Sequence, residues 1–228
     1  MPEFNQDEFN TFTSENNVYG FFSEAITLKS GRKSHFYANW RNVVEDVYLT
    51  EILVNFVISF VRDNDIDVDT FYGVPEGATK LGILTQFFWA KNQDNYGKGS
   101  HALSMGRAKP KEHGAPKDRY FVGLPQGRVV LLEDVTTTGG SSLNSLDSLR
   151  DAGIDVVAVI SLTNRMEKRN DGLSVKDAFA KRKVPFYNMS SALDLLPVVF
   201  NKVHDGEEIG LAIEAEFDKY GVSSIKLL

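Results

Sequence analysis

Short apolar runs rich in β-branched residues recur along the chain and predict strands. Four such runs cover residues 68–74, 101–105, 128–135 and 154–162. Runs of this length, bounded by polar residues, are typical of strands that are buried on both faces. We therefore interpret the four runs as buried strands.

The segments between these runs have the spacing of amphipathic helices. Residues 48–62 place apolar side chains on one face, and residues 142–152 carry leucines three positions apart, followed by Gly153 as a stop signal. Strands that alternate with helices predict an α/β fold, in which a parallel sheet is flanked by helices on both faces. Ligands of such sheets bind beyond the carboxyl ends of the strands, so we expect the site in the turns that follow the predicted strands.

Composition limits the class of protein. The chain has 228 residues and 42% apolar content, enough for one well-buried domain. It contains no cysteine, which excludes disulfides, thiolate metal sites and a cysteine nucleophile and favours the cytosol. No segment approaches the ~20 apolar residues of a membrane helix, and the first residues lack the pattern of a secretory leader. We therefore expect a soluble, cytoplasmic protein that does not bind membranes. The net charge of −6 argues against general affinity for nucleic acid, which relies on an excess of Lys and Arg.

The segment VVLLEDVTTTGGSS (129–142) carries the clearest chemical signal. A buried strand ends in two carboxylates and leads through hydroxyls and glycines into a helix, which makes an anion cradle. The carboxylates would repel a phosphate, so we expect them to accept hydrogen bonds from a sugar diol. The alternative is an ordinary capped turn between a strand and a helix. The acidic pair favours a ribose phosphate over that alternative.

LLEDVTTTGGS resembles the motif with which type I phosphoribosyltransferases bind phosphoribosyl pyrophosphate (PRPP). These enzymes are built on a parallel sheet with a small hood. The resemblance implies that Glu133 and Asp134 hold the ribose hydroxyls. It also implies that the following residues wrap the 5-phosphate: Thr136, Thr137, Thr138, Gly139, Gly140 and Ser141. The segment has no Gly-Lys-Ser/Thr, so an ATP-binding loop is a weak alternative.

Two further segments resemble the orotate branch of this family. ITLKSGRKSHFYANWRN (26–42) is similar to its N-terminal signature, which implies that Lys29 approaches the pyrophosphate and the base and that Phe36 and Tyr37 lie near the base. ISLTNRMEKR (160–169) resembles the strand end where Arg165 would bind the carboxylate of orotate through a bidentate guanidinium. The alternatives are a solvated hairpin turn for the first segment and a surface arginine for the second.

Residues 106–119 form a basic segment in an acidic protein. Five cations and two carboxylates give it a charge of +3, which suits a mobile lid that closes over a polyanion. The alternative is an ordinary solvated loop. The segment resembles the catalytic loop of the orotate enzymes, which reaches into the partner's site across a dimer. That resemblance implies catalytic roles for Arg107, Lys111 and His113 and a PRPP contact for Lys109.

The turn GVPEGATKLG (73–82) occupies the place of the family's pyrophosphate loop. It opens a helix, so we expect the backbone at Glu76 and Gly77 to face the pyrophosphate.

Together these resemblances imply an orotate phosphoribosyltransferase, a pentosyltransferase that forms orotidine 5'-monophosphate and pyrophosphate from orotate and PRPP during UMP synthesis. They imply that Mg²⁺ is bound mainly by the substrate, so we assign no dedicated metal ligand. They also imply a homodimer and one domain over 1–228, its hood built mainly from about 1–45 and the C-terminal segment. A phosphoribosyltransferase for another base and a non-catalytic PRPP-sensing regulator remain as alternatives.

Overall fold

Helices and strands alternate along most of the computed structural model, which describes residues 3–107, 109, 112–113, 120–203 and 206–228. In the part of the chain so described, no helix is both long enough and apolar enough to cross a membrane. In chain order the elements are α1 (Gln6–Glu15), β1 (Tyr19–Thr27), β2 (Lys33–Ala38), α2 (Arg41–Val44), α3 (Val47–Asp63), β3 (Thr70–Gly73), α4 (Thr79–Lys91), β4 (Met105–Gly106), β5 (Phe121–Val122), β6 (Arg128–Thr136), α5 (Gly140–Asp151), β7 (Asp155–Asn164), α6 (Val175–Lys181), β8 (Phe186–Ser191), α7 (Ala192–Val203) and α8 (Glu207–Tyr220).

A parallel four-stranded sheet with strand order β3, β6, β7, β8 forms the centre of the fold. The inner strand β6 is covered on both faces, because four successive side chains have 0% exposure. Val130 and Leu132 belong to a hydrophobic cluster with residues of α1, α3 and α7, whereas Val129 and Leu131 belong to a second cluster with residues of α5 and α6. The predicted α/β architecture is therefore confirmed.

Three of the four predicted strands and both predicted helices are confirmed. Strand β3 lies within the run 68–74, β6 coincides with 128–135 and extends one residue further, and β7 overlaps 154–162. The two predicted helical segments correspond to α3 and α5. Gly153 adopts φ +76°, a left-handed conformation that suits the end of α5.

The prediction of a buried strand at residues 101–105 was wrong. Only Met105 and Gly106 are extended, and they pair with β5 in a separate antiparallel sheet. The side chain of Gln86 explains the difference, because its Oε1 accepts from Phe71 N at 2.8 Å and its Nε2 donates to Ala102 O at 2.8 Å. One amide group thus stands between β3 and this segment where a strand was expected. The fourth strand of the parallel sheet is β8, a polar segment that the hydrophobic pattern did not reveal.

The hairpin β1–β2 forms a separate two-stranded sheet that lies against α8. The rings of Phe36 in β2 and Phe217 in α8 stack with centroids 5.9 Å apart. Within the hairpin turn, Arg32 stacks over the ring of Tyr220, with its guanidinium carbon 4.6 Å from the ring centroid. These contacts support our proposal that the hood combines about 1–45 with the C-terminal segment.

Candidate active site

Two carboxylates leave the sheet at the carboxyl end of β6. Glu133 is 6% exposed, and its Oε2 accepts a hydrogen bond from Ser142 Oγ at 2.6 Å. Burial raises the pKa of the Glu133 carboxyl well above its usual range; the neighbouring Asp134 raises it further, whereas Lys29 and Ser142 oppose the shift. The negative charges of Glu133 and Asp134 therefore repel each other in the folded protein. Hydroxyl donors or a cation supplied by a ligand would relieve that repulsion.

The turn that follows β3 packs directly on this acidic pair. Val74 N donates to Leu132 O at 2.8 Å, so the turn begins beside the end of β6. A Cβ at Gly77 would overlap the carboxylate of Asp134, so a larger residue here would have to displace that carboxylate or the turn. The side chain of Glu76 is exposed. The structure therefore brings the predicted pyrophosphate turn and the predicted ribose site together.

The first turn of α5 provides an open helix end beyond the same strand. Gly139 is the N-cap residue at φ +72°, and as a glycine it has no side chain with which to cap the helix. The N–H groups at the start of a helix have no acceptor within it, and the helix dipole makes this end positive, which suits a phosphate. Thr137, Thr138 and Ser141 are partly buried, and Gly140 is exposed. We call residues 137–141 the cradle.

Thr136, predicted with the other residues from 136 to 141 to wrap the phosphate, has its side chain inside the sheet. It is the last residue of β6, it is buried, and its Oγ1 donates to Ser161 Oγ at 2.9 Å. Its carbonyl oxygen accepts from Arg165 N at 2.9 Å. Because both groups are used inside the sheet, we leave Thr136 out of the cradle.

The turn of the β1–β2 hairpin reaches the cradle. Lys29 Nζ donates to Ser141 Oγ at 3.0 Å, a contact between residues 112 positions apart. Gly31 adopts φ +82° in this turn, which lets the chain reverse. An ammonium group from the hood therefore lies at the helix end where a phosphate is expected.

Arg165 lies under the hairpin rather than on the surface. It is 1% exposed, and its guanidinium carbon lies 3.7 Å from the centroid of the Phe36 ring. Nη1 donates to Phe36 O at 3.1 Å, Nη2 to Ser34 Oγ at 2.9 Å and Nε to Glu167 Oε1 at 2.8 Å. The surface-arginine alternative is therefore wrong. Within the described residues, these three hydrogen bonds use Nε and one N–H of each terminal nitrogen, out of the five N–H groups of a guanidinium.

The two aromatic residues predicted near the base have different surroundings. Phe36 is buried between Arg165 and Phe217, so its ring packs in the core, and its carbonyl oxygen accepts from Arg165. Tyr37 has the opposite orientation in β2, because successive side chains alternate, and it is only partly buried. A place near the base stays a prediction for both residues, and Tyr37 has the more accessible side chain of the two.

The basic segment leaves β4 and returns through β5. Arg107 is partly buried, and its backbone N donates to Tyr120 O at 2.9 Å, which extends the β4–β5 pairing. Lys109 and His113 are exposed. Lys111, also predicted to be catalytic, lies outside the described residues. Roles for these four side chains therefore stay predictions.

The sequence did not reveal three side chains that hold the site together. Arg169 Nη1 donates to Thr138 O and so fixes the cradle from a position 31 residues further along the chain. Ser142 orients Glu133, and Glu167 binds Arg165. None has a local motif of its own, because each acts through a contact made by the fold.

No protein-family model matches the chain. Among solved structures, orotate phosphoribosyltransferase from Francisella tularensis superposes with a TM-score of 0.63 at 21% identity, covering 94% of this chain and 99% of that one. UMP synthase from Leishmania donovani superposes with a TM-score of 0.70 at 20% identity, covering 93% of this chain and 42% of the longer one. At this identity the likeness establishes the type I phosphoribosyltransferase fold.

Two sequence relatives are more similar. The orotate phosphoribosyltransferase of Bradyrhizobium diazoefficiens is 35% identical over 178 residues, which are 75% of this chain and 87% of that protein. The orotate phosphoribosyltransferase of Methanosarcina mazei is 31% identical over 179 residues, or 78% of this chain and 83% of that protein. Because the similarity spans most of both chains, the protein belongs to the orotate phosphoribosyltransferase family.

Proposed function

We propose that the protein transfers the ribose 5-phosphate of PRPP to orotate, forming orotidine 5'-monophosphate and pyrophosphate in the synthesis of UMP. The observation that carries the proposal is the hydrogen bond from Lys29 to Ser141. It joins the hood, where the base is expected, to the cradle, where the phosphate is expected. A cytosolic location remains part of the proposal.

The geometry supports a division of PRPP among three groups. Glu133 and Asp134 would accept hydrogen bonds from the two ribose hydroxyls, which would also separate the like charges of the pair. The backbone and hydroxyl groups of the cradle would bind the 5-phosphate. The turn at Gly77, in contact with Asp134, would hold the pyrophosphate, with the exposed Glu76 contributing through its backbone.

In the reaction a ring nitrogen of orotate attacks the anomeric carbon and releases its proton to water, and the bond from that carbon to pyrophosphate breaks with its electrons on the departing oxygen. Cations preorganised around the leaving group stabilise this charge, most strongly where water is excluded. We assign this role to Lys29 and, from the basic segment, to Arg107, Lys111 and His113, with Lys109 as a further PRPP contact. His113 would donate a proton to the leaving pyrophosphate.

Mg²⁺ is the cofactor that fits this site. In the described part of the chain, no group of three or more His, Cys, Asp or Glu side chains could hold a metal ion. The repelling pair Glu133 and Asp134 still offers oxygen atoms of the kind that Mg²⁺ prefers, and the remaining ligands would come from substrate and water. When bound, the ion would supply positive charge against the pyrophosphate oxygens.

A homodimer is supported by exposed apolar side chains at the root of the basic segment. Phe87, Tyr96 and Leu103 line one cavity on this face and are 44%, 54% and 56% exposed. Val122 in β5 pairs with Met105 two residues beyond Leu103 and is also exposed. We call this surface the loop-root patch. A second copy covering it would bring the two basic segments close to the interface.

The central experiment is an absorbance assay with PRPP and Mg²⁺, in which orotate is compared with uracil, hypoxanthine and adenine. We expect turnover with orotate and a rate at least tenfold lower with each other base. Preference for another base would move the protein to a different specificity within the same fold. PRPP binding without turnover of any base would favour a regulatory protein.

Gly77→Ala should lower kcat/KM for PRPP by about a hundredfold, because the added Cβ displaces either Asp134 or the turn, and small misplacements have costs of this order. Gly97→Ala is the matched control, because the nearest atom to its added Cβ is 3.9 Å away. Steady-state kinetics of both variants measure the effect. Equal kinetics for the two would show that the turn does not hold substrate.

Glu133→Gln should stabilise the ligand-free protein and weaken PRPP binding by roughly tenfold or more. A carboxyl whose pKa is raised on folding stabilises the protein below its ordinary value of 4.5, and this contribution is lost as the pH rises through the raised value. Since glutamine stays neutral, the Tm gain should be larger at pH 7 than at pH 4.5.

Thermal unfolding across this pH range and PRPP titration test the Glu133 prediction. The exposed residue Glu51 provides the control variant Glu51→Gln. A Tm gain that is the same at both pH values would show that the burial of charge at Glu133 is not the cause.

Leu103→Glu should lower the mass of the particle in analytical ultracentrifugation from two chains to one, because a charge would be buried in the interface. Leu211→Glu in α8 is the control, since that leucine is 52% exposed but lies away from the loop-root patch. If the unmodified protein is already a fully active monomer, the proposal that two chains share the catalytic segment is wrong.

A further inference from the structure

The carboxylate of Glu167 joins two arginines that come from different parts of the fold. Its Oε1 accepts from Arg165 Nε at 2.8 Å, and its Oε2 accepts from Arg32 Nη1 at 2.7 Å. Glu167 is 6% exposed, so these charge-assisted bonds lie where water competes little. One buried carboxylate therefore fixes the orientation of both guanidinium groups.

The backbone around Glu167 is held in place by its own contacts. Met166 adopts φ +59°, which is uncommon for a residue with a side chain, and its N donates to Asn164 Oδ1 at 2.9 Å. The C-terminal segment supports the same turn, since Lys168 N donates to Tyr220 O at 2.7 Å and Val222 N to Met166 O at 2.8 Å. This turn places Arg165 and Glu167 side by side.

The second arginine extends the contact to the hood. Arg32 lies three positions after Lys29 in the hairpin turn, and its Nη2 also donates to Lys168 O at 2.7 Å and to Asn170 Oδ1 at 3.1 Å. The carboxylate that holds Arg165 therefore also ties down the turn from which Lys29 reaches the cradle.

The cost of burying these charges argues that the arrangement serves a ligand as well as the fold. Two guanidinium groups share the carboxylate of Glu167, while the carboxylate of Glu216 is linked to Arg165 only through the hydroxyl of Ser34. A buried ion pair is a weak source of stability compared with apolar side chains of similar volume, because removing the charges from water is costly. An anionic group would bind the N–H groups of Arg165 that the contacts within the described residues do not use.

We propose that Glu167 is a positioning residue for the base. It orients Arg165 toward the orotate carboxylate and, through Arg32, holds the hood turn over the site. The inference rests on the proposed function, since it concerns how the same site binds its base.

The test compares Glu167→Gln with the unmodified protein in steady-state kinetics, with orotate and PRPP varied separately. Glutamine keeps one acceptor oxygen but places an NH₂ group against one of the two arginines. It therefore cannot accept from both guanidinium groups at once, and the orientation of Arg165 is no longer fixed. The KM for orotate should rise about 10- to 100-fold, and the KM for PRPP should rise by a clearly smaller factor, because the turn that carries Lys29 keeps its contacts from Arg32 to Lys168 and Asn170. Arg32→Gln should raise the orotate KM less, because the pair of Arg165 and Glu167 is kept.

Glu214→Gln is the matched control for Glu167→Gln. Glu214 is also a buried carboxylate, and it accepts from Lys226 Nζ and from Leu227 N, away from Arg165. Loss of the Glu214 carboxylate should lower Tm without changing the KM for orotate or the KM for PRPP. If Glu167→Gln does not fold, Glu167→Asp keeps the charge but shortens the reach, and the orotate KM should again rise selectively.

The outcomes separate the inference from the proposed function. An active Glu167→Gln variant with an unchanged orotate KM would overturn the positioning role and leave the function intact. A rise in orotate KM matched by Glu214→Gln would reduce the role of Glu167 to general stability and overturn the inference. If the unmodified protein does not turn over orotate, the proposed function and this inference fall together.

Discussion

The burial of β6 on both faces is the constraint on which the rest of the structure depends. An interior strand needs backbone partners on both sides, here β3 and β7, and its side chains need apolar cover above and below. Carboxylate side chains can be accommodated only near the carboxyl end of β6, where the apolar cover ends. Glu133 and Asp134 stand at that point, and the neighbouring parallel strands deliver the turn at Gly77 and Arg165 to the same edge.

The hood is fixed to this edge by electrostatic contacts. Lys29 meets the start of α5, and Arg32 meets Glu167. Arg32 and Glu167 are largely buried, so salt screens their ion pair only weakly, whereas Lys29 is exposed and its contact with Ser141 is open to solvent. The hood and the sheet therefore meet with a defined geometry, although their sequences are more than 100 positions apart.

The parts that could be predicted from the sequence are those with a local signal. The apolar run of β6, its acidic end and the glycine and hydroxyl residues of the cradle are contiguous in the chain. The surroundings of Phe36 could not be predicted, since alternation in β2 does not say which face α8 covers. Arg169 has no local signal because its partner Thr138 lies 31 positions away, and the role of Glu167 is hidden because one of its two partners, Arg32, lies 135 positions away. Strand β8 is polar, and its place in the sheet depends on pairing with β7.

The amide of Gln86 has a consequence for how the molecule can associate. By accepting from Phe71 N, it satisfies a donor that faces outward from the edge strand β3, and it also binds Ala102 O in the chain beside that strand. An edge strand with free donors is a template for another strand from any neighbouring molecule. Here one side chain closes that template at Phe71, so continuation of the sheet into a neighbour is blocked there, and any assembly on this side has to form through side-chain surfaces.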